Sequence, residues 1–165
     1  MRIEFKKCDQ QDIPQLIQVS AQSYREHYTY LWEDKGENYI ANNFNKNTFT
    51  KELLLPNSEF YLILWQSEAV GFFKINDIEE TYLELERIYL IAEAKGKGIG
   101  KAAVDFVENL AISTSKSIIC LKAMQKGRAY LFYEKCGFEI VDEYILKEPF
   151  IKKEYNKMYV MEKVI

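Results

Sequence analysis

Three glycines within five positions are the residues of this chain whose chemistry is easiest to interpret. Gly96, Gly98 and Gly100 come directly before a helical stretch that begins at Ala102. Because glycine has no Cβ, the backbone here can approach a ligand closely. Where such glycines join a strand to a helix, the N–H groups at the helix N-terminus favour an anion, most often a phosphate. Positive charge flanks the loop on three lysines: Lys95, Lys97 and Lys101.

Spacing excludes two common phosphate loops. A P-loop needs Gly-x-x-x-x-Gly-Lys-Ser/Thr, but position 95 is Lys and Lys101 is followed by Ala. The Rossmann pattern fits in its permissive form, yet residues 117–123 lack the acidic residue expected about 20 positions on. A buried parallel strand should also not carry Glu84, Glu86 and Arg87.

The elements around the loop follow from hydrophobic periodicity. Residues 82–91 form a β-type run before the loop, and the helix after it spans 102–111. The other predicted strands cover 2–7, 60–65, 70–75, 117–123, 138–146 and 155–163, and the other helices cover 10–27, 39–44, 48–55 and 128–135, the last ending at Gly137. This order predicts a single domain over 1–165, with a mixed sheet covered by helices in an α/β or α+β layer fold.

Composition favours an ordinary globular protein: 28% of the residues are charged and 15% are aromatic. The net charge of −3 argues against nucleic-acid binding and is compatible with a cationic small substrate. Cys8, Cys120 and Cys136 lack metal-site spacing, so we expect no metal and reduced thiols in a cytoplasmic protein. With no signal peptide and no long apolar run, we expect no membrane association.

A second segment points to a family. Residues 128–138, RAYLFYEKCGF, are similar to the pattern Asn-x-x-Ala-x-x-Phe-Tyr-x-x-x-Gly-Phe of the Gcn5-related N-acetyltransferases (GNAT). The glycine loop resembles the same family's pyrophosphate loop, Arg/Gln-x-x-Gly-x-Gly, with Lys95 in the first position. The resemblance implies the GNAT fold, a mixed and mostly antiparallel sheet of six to seven strands flanked by helices. Within the family, residues 83–90 and 158–165 and the aromatic first helix look most like the PaiA-type spermidine/spermine acetyltransferases.

The resemblance implies transfer of an acetyl group from the cosubstrate acetyl-CoA to a primary amine, and the likeness to this subgroup implies a polyamine. Tyr133 matches the family's general acid, which protonates the departing thiolate; packing in the core beside Phe132 is the alternative. Lys126 replaces the Asn of the motif and could reach a phosphate instead. The implied cofactor-binding residues are the pantetheine-binding backbone of Ile88, Tyr89 and Leu90, the loop Lys95, Gly96, Lys97, Gly98, Ile99, Gly100 and Lys101, and the lysines Lys126 and Lys135.

Chemistry also demands a base, because an alkyl amine of pKa about 10.4 is almost wholly protonated at neutral pH. Glu84 and Glu86 project from the same face of an extended strand. Glu86, two residues before the pantetheine contact, is our first choice for the base or for a residue that positions water; pairing with a lysine or the neighbouring sheet is the alternative. We interpret His27, the one histidine, as a surface residue at a helix end.

Acceptor specificity should come from aromatic rings and carboxylates near the open end of the cleft. The candidates are Tyr24, Tyr28, Trp32, Glu33, Asp34 and Glu84, with Tyr30 nearby. Aromatic residues there could equally be core or a dimer contact, so a homodimer is possible. Two other functions stay open: acetylation of a protein N-terminus or lysine, and a non-catalytic acyl-CoA-binding regulatory module.

Overall fold

The computed structural model describes residues 2–165 and contains one seven-stranded sheet with five α-helices. The strands are β1 (Ile3–Lys7), β2 (Ser58–Trp65), β3 (Glu68–Asp77), β4 (Tyr82–Leu90), β5 (Ile118–Met124), β6 (Glu139–Ile145) and β7 (Lys157–Val164). The helices are α1 (Ile13–His27), α2 (Glu37–Asn43), α3 (Lys46–Leu53), α4 (Ile99–Ser113) and α5 (Ala129–Lys135). Short 3₁₀ turns cover Gln10–Asp12, Thr29–Leu31, Ala92–Ala94 and Lys153–Tyr155.

The strand order is β1-β2-β3-β4-β5-β7-β6, and every neighbouring pair is antiparallel except β4 with β5. This mixed, mostly antiparallel sheet confirms the predicted fold class. Two differences from the sequence prediction lie near the glycine loop and the candidate acceptor residues. Helix α4 begins at Ile99 rather than Ala102, because Gly98 itself is its N-cap with a φ of 77°. Residues 28–38, between the first two predicted helices, contain a 3₁₀ turn, and Trp32 forms a β-bridge with Ile151.

Alternation along the central strands divides the apolar residues between two faces of the sheet. On β2, Phe60 and Leu62 pack with the first three helices, whereas Tyr61 and Ile63 belong to the core that contains α4. All four of these side chains are at most 7% exposed. The sheet therefore separates two hydrophobic cores, and a site between its strands can be reached from elements on both faces.

Strands β4 and β5 pair only at one end. Their parallel register runs from Tyr82 opposite Ile118 to Leu85 opposite Leu121, and there the pairing ends. Beyond it β4 stays bonded to β3 and β5 stays bonded to β7, so the backbone between the two strands is left unpaired. Contrary to our expectation, the parallel segment carries Glu84. It can do so because the segment borders a cleft instead of lying beneath a helix on both faces.

A β-bulge interrupts β4 just after this point. Lys74 of β3 lies opposite Arg87 and Ile75 lies opposite Leu85, which leaves Glu86 as an extra residue. Bulges redirect side chains and are frequent beside active sites. Here the consecutive residues Glu86 and Arg87 contact each other and the same partners, and one amide contacts both Glu84 and Glu86, as described below.

Candidate active site

Two clefts meet at the opening between β4 and β5. The first, which we call the glycine-loop cleft, has a volume of about 570 Å³. It is lined by the start of α4 with the loop before it, by the ends of α1 and β4, and by the start of α5. Its residues are His27, Tyr28, Tyr30, Ile88, Leu90, Ala94, Lys95, Gly96, Gly98, Ile99, Gly100, Lys101, Met124, Gly127, Arg128, Ala129, Phe132 and Tyr133.

The glycine loop has the geometry of an anion site. Gly96 and Gly98 have φ angles of 73° and 77°, which other residues rarely adopt, and no protein atom lies within 4 Å of where a Cβ would be. At Gly100 the nearest atom to such a Cβ is Cζ of Phe132, at 3.4 Å. The first-turn N–H groups of α4 lack partners within the helix and lie at a wall of this cleft.

Of the five predicted lysines, two line this cleft: Lys95 and Lys101. Lys97 lies over the ring of Trp65 at 4.0 Å, and Lys126 lies 5.8 Å from the ring of Tyr155. Lys97, Lys126 and Lys135 are outside the lining of both clefts. Arg128, which the sequence analysis did not select, lines the glycine-loop cleft directly before α5. The position of Arg128 at the start of the second family motif, residues 128–138, was the sequence signal that could have identified it.

His27 also lines the glycine-loop cleft, so its interpretation as a surface residue was wrong. It is the last residue of α1, and its side chain is 17% exposed. Burial, and then the charge of Lys95, lower the pKa of its imidazole. Among residues 2–165, Nε2 of His27 is buried without a hydrogen-bond partner. The preceding Glu26 accepts a 2.6 Å hydrogen bond from the N–H of Ala92, which ties α1 to the loop.

The second cleft, which we call the carboxylate cleft, has a volume of about 490 Å³. It combines tyrosine rings with three carboxylates and two cationic side chains. Its residues are Tyr24, Tyr28, Leu31, Trp32, Tyr39, Glu84, Leu85, Glu86, Arg87, Ile88, Tyr89, Lys122, Ala123, Met124, Ala129, Tyr133, Tyr144, Leu146, Glu148, Ile151 and Met158.

Glu86 belongs to a buried network of alternating charges. Nζ of Lys74 lies 2.6 Å from Glu86 and 2.9 Å from Glu52, and Arg87 lies 3.2 Å from Glu86 and 3.1 Å from Glu52. The amide of Asn76 donates to Glu86 at 2.6 Å and to Glu84 at 2.9 Å. Burial alone would raise the pKa of Glu86, but Arg87, Lys74 and Asn76 outweigh it and hold the pKa below its ordinary value. Glu86 therefore stays ionised at neutral pH.

Tyr133 lies where the two clefts join. Both clefts share five lining residues: Tyr28, Ile88, Met124, Ala129 and Tyr133. Tyr133 is 7% exposed, and burial, with smaller contributions from Tyr28 and Cys136, raises the pKa of its phenol far above the ordinary value. A phenol that stays protonated can donate a hydrogen bond or a proton into the junction.

The predicted acceptor residues divide into two groups. Tyr24, Tyr28, Trp32 and Glu84 line the carboxylate cleft, although Tyr24 and Trp32 are buried and joined by a 3.0 Å hydrogen bond from the indole to the phenol. Glu33 is exposed and lines neither cleft.

Asp34 also lines neither cleft, and its carboxylate has a different role. It accepts hydrogen bonds from the backbone N–H groups of Gly36 and Asn38, at 3.0 and 2.8 Å, where α2 begins. The sequence analysis missed five charged or aromatic lining residues: Tyr39, Arg87, Lys122, Tyr144 and Glu148. Only Glu148 carried a signal, as an acid beside Pro149 in a charged loop.

The three predicted pantetheine-binding residues occupy the end of β4. Ile88 and Leu90 line the glycine-loop cleft, while Tyr89 is in the core on the other face of the sheet and lines the carboxylate cleft. Tyr89 also approaches β3 so closely that a Cβ on Gly71 would lie 2.2 Å from its carbonyl oxygen. The edge of this segment that faces β5 has no strand partner, and its contact with pantetheine stays a prediction.

The sheet therefore opens between two parallel strands, β4 and β5, and the N-terminus of α4 with its three glycines lies at this opening. A family model described as "Acetyltransferase (GNAT) family" matches residues 17–138. The chain belongs to this family and is an acetyl-CoA-dependent N-acetyltransferase of the GNAT type.

Three known proteins show how far the similarity extends. The chain is 27% identical over 150 residues to spermidine N(1)-acetyltransferase of Thermoplasma acidophilum, covering 86% of this chain and 91% of the relative. The crystal structure of the PaiA N-acetyltransferase of Thermoplasma acidophilum in complex with coenzyme A superposes with a TM-score of 0.83, at 24% identity and full coverage of both chains. The ribosomal-protein-S18-alanine N-acetyltransferase of Escherichia coli has a TM-score of 0.73, at 12% identity, over 99% of this chain and 94% of that one.

The residues of the glycine-loop cleft fit acetyl-CoA, the cosubstrate. Gly96 and Gly98 leave open space above the backbone, and Lys95, Lys101 and Arg128 provide positive charge for phosphates. Between residues 2 and 165 no group of three or more His, Cys, Asp or Glu side chains is arranged to hold a metal ion. Over the same range, none of the helices has the length and apolar character needed to cross a membrane.

Proposed function

We propose that this enzyme acetylates a primary amine of a polyamine such as spermidine or spermine, with Tyr133 as the general acid. The observation that carries the proposal is the position of Tyr133 at the junction of a phosphate-binding cleft and a cleft lined by carboxylates and aromatic rings. Carboxylates and aromatic faces are the groups that recognise alkylammonium ions. The similarity to a spermidine N(1)-acetyltransferase over most of both chains supports the same acceptor class.

In the proposed reaction, the amine nitrogen forms a bond to the thioester carbonyl carbon and the carbon–sulfur bond breaks. The leaving thiolate takes the proton of the Tyr133 hydroxyl, and solvent returns a proton to Tyr133. Because a carboxylate with a lowered pKa is a weak base, Glu86 suits water positioning better than direct proton abstraction. Before the attack, the acceptor ammonium loses one proton to solvent through water held beside Glu86, which frees the nitrogen lone pair. After the attack, the nitrogen loses its second proton to solvent by the same route, which balances the proton that Tyr133 gives to the thiolate.

Acetylation of a protein N-terminus or lysine is the second candidate. The fold is shared with the ribosomal-protein-S18-alanine acetyltransferase, so architecture alone does not separate the two activities. The charge of the carboxylate cleft favours a cationic small molecule, because its three carboxylates, Glu84, Glu86 and Glu148, outnumber its two cations, Arg87 and Lys122.

The test is release of coenzyme A thiol with a panel of acceptors at equal concentration. The panel contains spermidine, spermine, 1,4-diaminobutane, n-butylamine, a peptide with an N-terminal alanine, and a peptide with an internal lysine. We expect kcat/KM for the polyamines to exceed that for either peptide by at least about tenfold. Preferential acetylation of a peptide contradicts the polyamine proposal. Tight acetyl-CoA binding without turnover of any acceptor supports the regulatory module instead.

A further inference from the structure

Lys122 presents a cation to one carboxylate of the carboxylate cleft. Its Nζ lies 3.8 Å from Oε1 of Glu84, and its side chain is 53% exposed. The same Nζ lies 5.8 Å from the centre of the Tyr144 ring. All three residues line the carboxylate cleft. A carboxylate on one side and an aromatic face on the other are the surroundings that a bound alkylammonium requires.

The other cation of the cleft, Arg87, and the neighbouring Lys74 of β3 form ion pairs with other carboxylates. Arg87 and Lys74 pair with Glu86 and Glu52 within 3.2 Å, and Lys74 is 5% exposed. Glu84 instead receives one hydrogen bond from the amide of Asn76, at 2.9 Å, and its distance to Lys122 exceeds a hydrogen bond. Among residues 2–165, the half-exposed ammonium of Lys122 is therefore the one cation that pairs with the charge of Glu84.

The end of the Lys122 side chain has the same structure as the end of an alkyl diamine. A lysine side chain ends in four methylene groups and a primary ammonium, the same group as one end of 1,4-diaminobutane and as the aminobutyl arm of spermidine. From these contacts we infer that Glu84 and Tyr144 form a subsite for the second ammonium of a di- or polyamine, and that Lys122 occupies it until the substrate displaces it. The inference rests on the proposed amine acetylation and adds where the non-reacting end of the acceptor binds.

Lys122 then acts as an internal competitor that lowers the preference for dications. Removing its charge frees Glu84 and also removes repulsion of the incoming ammonium. Since partly exposed ion pairs contribute little each, the effect should be about three- to tenfold and not larger. The loss of this charge should strengthen the binding of acceptors that carry a second ammonium. It should therefore change the ratio of diamine to monoamine affinity, and the corresponding ratio of kcat/KM.

The test compares Lys122→Met with wild type, using 1,4-diaminobutane and n-butylamine, which differ by the second ammonium alone. Lys7→Met is the matched control, since Lys7 is an exposed lysine that pairs with Glu59 at 2.8 Å and lines neither cleft. Calorimetry in the presence of coenzyme A gives the ratio of diamine to monoamine affinity, and thiol release gives the ratio of kcat/KM.

We expect the diamine-to-monoamine ratio to rise about three- to tenfold in Lys122→Met, to stay at the wild-type value in Lys7→Met, and to fall again when Glu84→Gln is added to Lys122→Met. A ratio that is unchanged or lower in Lys122→Met, or that rises equally in Lys7→Met, overturns the subsite. If the binding ratio shifts as expected while no amine is turned over, the subsite holds and the proposed acetylation fails. If amines are turned over without a shift in ratio, the acetylation holds and the subsite fails.

Discussion

Two side chains that line the carboxylate cleft, Tyr133 and Glu86, are held in opposite protonation states by their surroundings. Burial keeps the Tyr133 phenol protonated. Lys74, Arg87 and the Asn76 amide keep Glu86 ionised in spite of its burial. A general acid must hold its proton until the leaving group needs it, and a neutral phenol of high pKa meets that requirement once a thiolate develops beside it. The proposed division of work between the two residues follows from this difference.

Replacing Tyr133 by Phe tests the acid alone, because the ring and its packing are retained. Loss of a general acid costs on the order of 10²–10⁴ in rate, so we expect kcat to fall by that factor. The affinity for coenzyme A, measured by calorimetry, should stay within about twofold of the wild-type value, because the substitution does not change the glycine loop. A variant that turns over at the wild-type rate would return Tyr133 to a packing role beside Phe132.

At the scale of elements, β4 organises the site in three ways. It stops pairing with β5 after Leu85, which opens the junction. At its bulge the consecutive residues Glu86 and Arg87 contact each other, and the Asn76 amide of β3 bonds both Glu84 and Glu86. Its charged side chains are then neutralised from β3 and α3, by Lys74 and Glu52. Strand β4 is therefore held by long-range ion pairs on the face that borders the carboxylate cleft.

Lys74→Met should destabilise the protein, because it leaves Glu52 and Glu86 with one fewer cation in a buried network. Breaking one partner of a buried ion pair costs about 3–5 kcal/mol, and we expect a loss near that range in urea unfolding at pH 7. The double variant Lys74→Met with Glu52→Gln should recover part of the loss, because the remaining Arg87–Glu86 pair is balanced. An equal or larger loss in the double variant would mean that packing, not charge, explains the effect.

This destabilisation should also depend on pH. The folded pKa of Glu86 lies below the ordinary value of 4.5, so its ion pairs stabilise the fold above that pH, and the stabilisation is lost as the pH falls through the folded pKa. The difference in unfolding free energy between wild type and Lys74→Met should therefore shrink as the pH is lowered from 7 to below 4.5. A difference that is constant over this range would contradict the assigned role of the Glu86 charge.

At the scale of the whole molecule, the glycine-loop cleft is assembled from elements far apart in sequence. The end of α1, the end of β4, the start of α4 and the start of α5 all line it. Glu26 adds a direct link between α1 and the turn before the loop. A ligand in this cleft contacts elements from both faces of the sheet, so binding should stabilise the global fold. The homodimer and the cytoplasmic location stay predictions.

Coenzyme A at one hundred times its dissociation constant should stabilise the folded state by about 2.7 kcal/mol, which is roughly 5–10 °C in Tm for a chain of this size. Gly98→Asp should abolish this shift, because its carboxylate would lie against the pyrophosphate. Gly98→Asn is the matched control: both residues tolerate the left-handed conformation at a φ of 77°, but Asn adds no charge. A full coenzyme A shift in Gly98→Asp, measured by calorimetric scanning, would exclude the loop as the pyrophosphate site.

The sequence alone determined the features that depend on short stretches of chain. Hydrophobic periodicity located all seven strands and the five helices, and the spacing of Gly96, Gly98 and Gly100 indicated an anion loop. The segment that contains Tyr133 carried the second family motif. These patterns are readable because strand alternation, helix periodicity and left-handed glycines are local consequences of backbone geometry.

Only the tertiary structure decided which side chains share the carboxylate cleft. Glu52 and Arg87 are 35 positions apart, yet they belong to one ion network with Lys74 and Glu86. The bulge leaves Glu86 without a residue opposite it on β3. It is a property of how β4 pairs with β3, and no pattern within β4 alone reveals it.

The same limit explains the acceptor residues that the sequence analysis chose or missed. Glu33 and Asp34 were chosen for their chemistry, but Asp34 caps α2 and Glu33 faces solvent. Lys122 and Glu148 reach the cleft from β5 and from the loop after β6. Burial and pairing in this cleft are set by contacts between distant elements, and those contacts exist only once the sheet has assembled.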